Sequence, residues 1–432
     1  MRLGLTARST ARGAAASSSL ALLLTACALP QPQPAAPISL EEIPALQRTF
    51  ARDSSDVAVR LRLAEAQRRA GQTAIAARLL EPVSDGTPVA AFYLALVRED
   101  QGRAADARQL YQRYLARQSR GELSDRVRDR LTLLDRLELQ QAVRSALAAE
   151  RELSTRPAVA GVVGVFPFLM STSDPQLRPL ATAFAELLSS DLGHTSRLRV
   201  VERARVKQLL DEIRLSESRR VEPATAVRGG RLLGAGTLVQ GRIDGSATDL
   251  DVQAAVVRVQ TPATAANVLR ARNALSRVFD VEKSVALGVY QRMGIQLTSG
   301  ERDRVMHHET RNVQALLELG FGLESQDAGR YAEAAEHFTR AAQLDPNFAL
   351  AARYASAAAV RARAAAFSTT TLAELALAQL PARRVEAVRP VDMFEAIERL
   401  VPNPSVRDAS TEALGVEGFV RSAPADLVIT RP

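Results

Sequence analysis

The chain has 432 residues, long enough for two or three domains with their own cores. Aromatic residues make up only 4% of it and tryptophan is absent, so those cores must be aliphatic and alanine-rich. The formal charge of +8 does not point to nucleic acid, because apart from Lys207 and Lys283 the basic residues are arginines dispersed among 48 acidic residues, as on solvated helix faces.

Residues 1–26 combine a basic start at Arg2, Arg8 and Arg12 with an apolar run from Leu20 to Leu24. This is the pattern of a signal peptide cleaved after Ala26, with Leu24-Thr25-Ala26-Cys27 as a lipobox. Cys27 is the one cysteine of the chain, so it cannot form an internal disulfide and stands where a diacylglyceryl group is attached. Acyl chains contribute about 0.8 kcal/mol per buried methylene, enough together for a stable anchor. Residues 27–45 are read as anchor and tether, since Pro30, Pro32, Pro34 and Pro37 oppose helix and strand. No other stretch approaches the roughly 20 apolar residues of a spanning helix. With Ala28 and no aspartate after the cysteine, the chain resembles lipoproteins sorted to the outer membrane of Gram-negative bacteria, which implies a lipid-anchored location on the periplasmic side.

Residues 46–155 predict N-terminal helical repeats. Two hairpins between Asp56 and Gln118 turn at Arg69-Ala70-Gly71-Gln72 and at Asp100-Gln101-Gly102-Arg103, a spacing close to the ~34-residue period of a tetratricopeptide (TPR) repeat. Ala76 and Leu80 follow the first turn, Ala107 and Tyr111 the second, a small residue where paired helices touch and a larger one that fills the gap. A long helix from Ser124 to Leu153 caps this array.

Residues 156–300 read differently. An apolar run at Leu198, Val200 and Val201 gives way to Val206, Leu209, Leu210 and Ile213, the i, i+3, i+4, i+7 face of a helix. A second helix starts at Pro223, where a missing N–H removes nothing, and ends at Gly234. Strands are predicted from Thr237, over 250–260 and over 267–278, then a helix over 280–294 with Val281, Val285, Leu287 and Val289 for burial. Val200-Val201-Glu202-Arg203, the helix ending Leu209-Leu210-Asp211-Glu212, and Leu233-Gly234-Ala235 leading into Leu238-Val239-Gln240-Gly241 resemble the CsgG-like domain, named for the curli assembly and transport lipoprotein. Val162 to Phe168 is similar to that family's opening strand, and Asp251 to Val259 to the strand after Gly241. The order strand, helix, strand, two helices, three strands, helix makes an α/β domain with a mixed sheet and an antiparallel meander. The resemblance also implies rings, hence a homo-oligomer. The pore hairpins of the curli protein itself are not expected, because 267–278 sets Arg270 and Arg272 on one side and offers no lipid-facing band.

Residues 301–366 carry a clearer TPR repeat, with Gly322, Gly329, Tyr331, Ala334, Phe338, Ala341 and Pro346 at the family's positions. Ser325 departs from it where an aromatic is usual. Residues 367–432 predict short helices, one over 372–380 capped by Thr371, and a proline-interrupted flexible tail.

Catalytic signatures are missing from the sequence. His194, His307, His308 and His337 make no zinc motif, so no metal is expected, and His307-His308 reads as solvated surface. Gly234-Ala235-Gly236 precedes a strand, whereas a phosphate cradle follows one, so no nucleotide and no other cofactor is expected. Glu202, Arg203 and Glu212 read as a helix-start ion pair and surface charges.

The reading is an α+β multidomain chain, a central α/β CsgG-like domain with a mixed sheet flanked by all-α TPR-like hairpins. Repeats serve as scaffold or bind partners through their concave face, and partner binding is favoured. The expected function is a non-enzymatic, outer-membrane-anchored scaffold for export or assembly of a cell-surface polymer, bound to envelope proteins through its repeats. The alternative is a lipoprotein adaptor that regulates a peptidoglycan synthase.

Overall fold

The computed structural model describes residues 38–153, 155–213, 223–246, 248–260 and 267–379. Cys27, Ala26, the proline tether and the chain beyond residue 379 lie outside the described residues. All described residues fall within the compact unit that ends at Pro381.

The first helices are α1 (Ile43–Arg52), α2 (Val57–Arg69), α3 (Thr73–Leu80), α4 (Pro88–Asp100) and α5 (Ala104–Arg117). Asp56 caps α2 by accepting hydrogen bonds from the Ala58 and Val59 N–H groups, which have no partner inside the helix. Ala76, Leu80, Ala107 and Tyr111 are all buried, and Phe92 packs against Tyr93, Tyr111 and Tyr114, an aromatic cluster at the centre of this core.

The capping helix expected over 124–153 is broken. It runs as α6 (Glu122–Ala148) and ends before a separate turn, α7 (Glu150–Leu153). At 1.5 Å per residue α6 is about 40 Å long, and it joins two cores: Leu123, Val127 and Leu134 pack with the first helices, Val143 beneath the sheet.

The sheet comprises β1 (Val159–Val165), β2 (Leu169–Ser171), β3 (Arg199–Val200), β4 (Ala235–Gly245), β5 (Asp249–Arg258) and β6 (Asn267–Ala274). Its order is β3-β1-β4-β5-β6, with β3, β1 and β4 parallel and β4, β5 and β6 antiparallel. The opening strand, expected as one piece over 162–168, is two. Pro167 has no N–H to donate, so β1 stops and β2 resumes in parallel against the far half of β4, Leu169 opposite Arg242. The third meander strand, expected to reach Val278, ends at Ala274, and Val278 already begins a helix.

Helices cover both faces. On one lie α8 (Leu180–Leu192) and α11 (Val278–Arg292), the latter burying Val281, Val285 and Val289. On the other lie α9 (Arg203–Glu212) and α10 (Pro223–Leu233), with Val206, Leu209 and Leu210 buried beside Val143. Strands buried on both faces are continuously apolar, as Val162, Val163 and Val165 are.

The last helices are α12 (Ser299–Met306), α13 (Val313–Asp327), α14 (Tyr331–Leu344), α15 (Ala349–Ala366) and α16 (Thr369–Ala378). Leu316, Leu319, Phe338 and Phe348 belong to the same core as Phe184 and the sheet, so this hairpin is fused to the α/β body. The final helix begins earlier than expected, and its cap is Ser368, which accepts from Thr371 N–H; Thr371 is inside the helix. Leu372, Ala373, Ala376 and Leu377 pack into the N-terminal hairpins, where the Tyr93 hydroxyl donates to the Ala373 carbonyl at 2.8 Å. The described start of the chain and its described end thus share one core.

Candidate functional site

Arg203 marks the place where the three parts of the fold meet. It is the first residue of α9, set there because Val201 N–H still donates to Val163 O of β1 and the chain turns into helix at Glu202. Expected as half of a surface ion pair with Glu202, Arg203 is instead buried, at 8% exposure, and reaches inward. Its two terminal nitrogens hold the Asp327 carboxylate at the end of α13 at 2.6 and 2.8 Å, a bidentate pair. Arg203 Nε lies 3.3 Å from Glu186 Oε2 on α8, near enough for attraction but not aligned as a hydrogen bond. The other Glu186 oxygen accepts from the Tyr354 hydroxyl of α15 at 2.6 Å. Burial opposes the charge on Arg203, but the Asp327 carboxylate outweighs it and raises the guanidinium above its ordinary value. Burial likewise raises the Tyr354 phenol, helped by the charge of Glu186.

The same loop is held from the other side. Arg136 on α6 donates to the Asp327 carbonyl at 3.2 Å and to the Tyr331 hydroxyl at 3.4 Å. Three cavities surround the pair. One of 540 Å³ lies between the β3–α9 junction and α15, one of 670 Å³ between α6, α9 and α14, and one of 530 Å³ against Phe168 and α8.

Glu202 occupies the cap position of α9 without a side-chain cap bond, and it is exposed. Glu212 accepts from Arg144 of α6 at 3.0 Å, so it too ties elements together. Gly234 ends α10 with φ of +67°, a conformation that side chains with a Cβ rarely adopt. At Gly241 a Cβ would stand 2.4 Å from both the Gln253 carbonyl oxygen and the Phe168 ring. Gly322 faces the Phe338 ring, Ala334, Phe338 and Ala341 are buried, Gly329 turns α13 into α14, and Pro346 is exposed in the loop before α15. Ser325, in the position of the missing aromatic, is buried and donates to Glu333 at 3.0 Å.

A second polar cluster escaped the sequence reading. Lys283 on α11 is 3% exposed and lies 2.6 Å from Asp191 of α8 and 3.1 Å from its neighbour Glu282, while the Tyr290 hydroxyl donates to the Asp191 carbonyl at 2.7 Å. Burial, and then the Asp191 charge, hold the Glu282 carboxyl well above the usual range. The signal was present, a lysine retained in a chain that otherwise uses arginine. His308, expected to be solvated, is edge-on to Phe279 and 3.3 Å from Asp280. Among the described residues no three His, Cys, Asp or Glu side chains are placed to hold a metal ion, and no helix is long and apolar enough to cross a membrane.

Fold and site define a mixed α/β domain clamped between helical hairpins, with salt bridges across the clamp. Residues 145–255 match the family described as curli production assembly/transport component CsgG. They contain Val200 to Arg203, Leu209 to Glu212 and Leu233 to Gly241, and form a CsgG-like domain. No curated protein matches the chain. Among solved structures it is similar to the LpoB C-terminal domain from Salmonella enterica, at 17% identity over 32% of this chain and 93% of that one, with a TM-score of 0.22.

Proposed function

We propose that the chain is a non-enzymatic periplasmic scaffold, anchored through Cys27 to the outer membrane, that serves export or assembly of a cell-surface polymer. The observation that carries this reading is the match of residues 145–255 to a family described by curli production, assembly and transport. The helical hairpins around that domain, which we infer to be TPR repeats, support a partner-binding role, since stacked helical pairs present extended concave surfaces. A body on a lipid tether, and not a pore, is supported by β5 and β6 pairing within the one sheet, with α11 packed against the face that carries Leu269 and Ala271. The alternation expected of a lipid-facing strand is also missing from 267–274.

The test is deletion of the gene, with the surface polymer and the wall crosslinks both measured. Lost polymer with a normal wall supports the scaffold. Normal polymer with altered crosslinking overturns it in favour of an adaptor for wall synthesis. The native mass of the lipidated protein in mild detergent then separates a ring, which the family resemblance implies, from a monomeric adaptor.

A further inference from the structure

The 540 Å³ cavity beside Arg203 is open on one side, and its walls differ in charge. The sheet wall presents Val200, Val201 and Glu202; the α15 wall presents Leu350, Ala357 and two arginines, Arg353 and Arg361. Two arginines at this seam are occupied, Arg203 by Asp327 and Arg136 by the Asp327 carbonyl and Tyr331. Among the described residues Arg353 has no hydrogen-bond or ion-pair partner, and Arg361 has only a 3.4 Å bond to the Gln326 amide oxygen. Of the two acids lining the cavity, Glu186 is taken by Tyr354, which leaves Glu202 on the opposite wall. The spare charge is therefore positive along α15 and negative at one point facing it.

We propose that this groove docks an extended acidic segment of a partner protein, with carboxylates four residues apart held by Arg353 and Arg361. The inference rests on the scaffold reading and names the chemistry of its partner. Spacing supports it: positions 353 and 361 are about 12 Å apart along the helix axis at 1.5 Å per residue. Side chains i and i+4 of an extended chain lie on one face, about 13 Å apart. The sheet edge supports it as well. β3 is the outermost strand, and Val201 N–H points inward to Val163 O, so the alternation of strand groups turns the Val200 N–H and C=O outward, where an extended chain can pair with them. Ala357, between the two arginines, lets the segment lie close to the helix. Glu202 repels carboxylates from the sheet wall and so fixes which way the acidic face turns.

The test uses the full chain in mild detergent and a fluorescent peptide of threonine and valine carrying two aspartates four residues apart, titrated to millimolar concentration. Exposed charge pairs are each worth up to about fivefold in affinity, so Arg353→Glu with Arg361→Glu weakens binding by about tenfold or more. The same double variant gains affinity for a peptide with lysines in place of the aspartates, a swap that a folding defect cannot produce. Equal binding of the asparagine peptide, equal binding of aspartates two residues apart, or no effect of the double variant each overturns the proposal. Peptide binding with unchanged polymer after gene deletion sinks the scaffold reading alone; lost polymer without peptide binding sinks the groove alone.

Discussion

Arg203→Met tests whether the seam holds the hairpins to the sheet. The side chains of Arg203 and Asp327 are 6% and 11% exposed and meet at 2.6 and 2.8 Å, so the change strands a buried carboxylate. Breaking such a pair costs about 3–5 kcal/mol, whereas a solvent-exposed pair is worth about 0–1 kcal/mol. Burial decides between the two, and the larger figure is expected. Replacing both partners, Arg203→Met with Asp327→Leu, removes the stranded Asp327 carboxylate and recovers part of the loss, the remainder being the cost of leaving buried Glu186, 3.3 Å from Arg203 Nε in the parent, without its cation. Glu186 keeps its bond from Tyr354 in both variants. Urea unfolding by linear extrapolation measures the cycle, and hydrogen exchange in α13 locates the opening. A single variant within about 1 kcal/mol of the parent refutes the argument, since it would mean that the pair behaves as surface charge.

Glu282→Gln tests the second cluster. A carboxyl raised in the folded state releases its proton first when unfolded, so its contribution is complete below the usual value of 4.5 and is lost as pH rises toward the raised folded value. The variant therefore flattens the fall of stability with pH above 4.5, a slope of up to about 1.4 kcal/mol per pH unit, read from urea midpoints across pH. Gly241→Ala forces a methyl group against the Gln253 carbonyl and Phe168, and costs about 1–3 kcal/mol or more by the same unfolding assay; a neutral result would show that β4 and β5 yield. Cys27→Ala removes the acceptor of the lipid and moves the protein from the membrane to the soluble fraction of lysed cells; retention in the membrane refutes the anchor.

Local rules carried far in this chain. The switch from alternating to 3.6-residue spacing near Glu202 located β3 and α9 within a residue or two, and Pro223 and Gly234 bracket α10 at both ends. The small and large residues at Ala76, Leu80, Ala107 and Tyr111 are buried as spacing alone demanded. At two of the places where expectation slipped, a single residue's chemistry was the cause. Pro167 divides the opening strand for want of an N–H, and Ser368 competes with Thr371 for the same helix end and is placed to accept from N3.

The seam itself was illegible for a different reason. Arg203 and Asp327 are far apart in sequence and look like ordinary surface charges, because nothing in local spacing tells an arginine at a helix start whether another layer will cover it. Burial of that side chain is a property of the tertiary arrangement, created only when α13 and α15 pack onto α8. The lysine at 283 differs in kind. Its ammonium is a compact point charge buried between two carboxyls, 2.6 Å from Asp191 and 3.1 Å from Glu282, an arrangement that a planar guanidinium does not reproduce. The other lysine, Lys207, one turn along α9 from Arg203, pairs with Asp211 at the rim of two of the seam's cavities. Composition therefore singled out the lysine of the buried cluster, whereas nothing in it marked Arg203 or Asp327, and only the packing says what these residues touch.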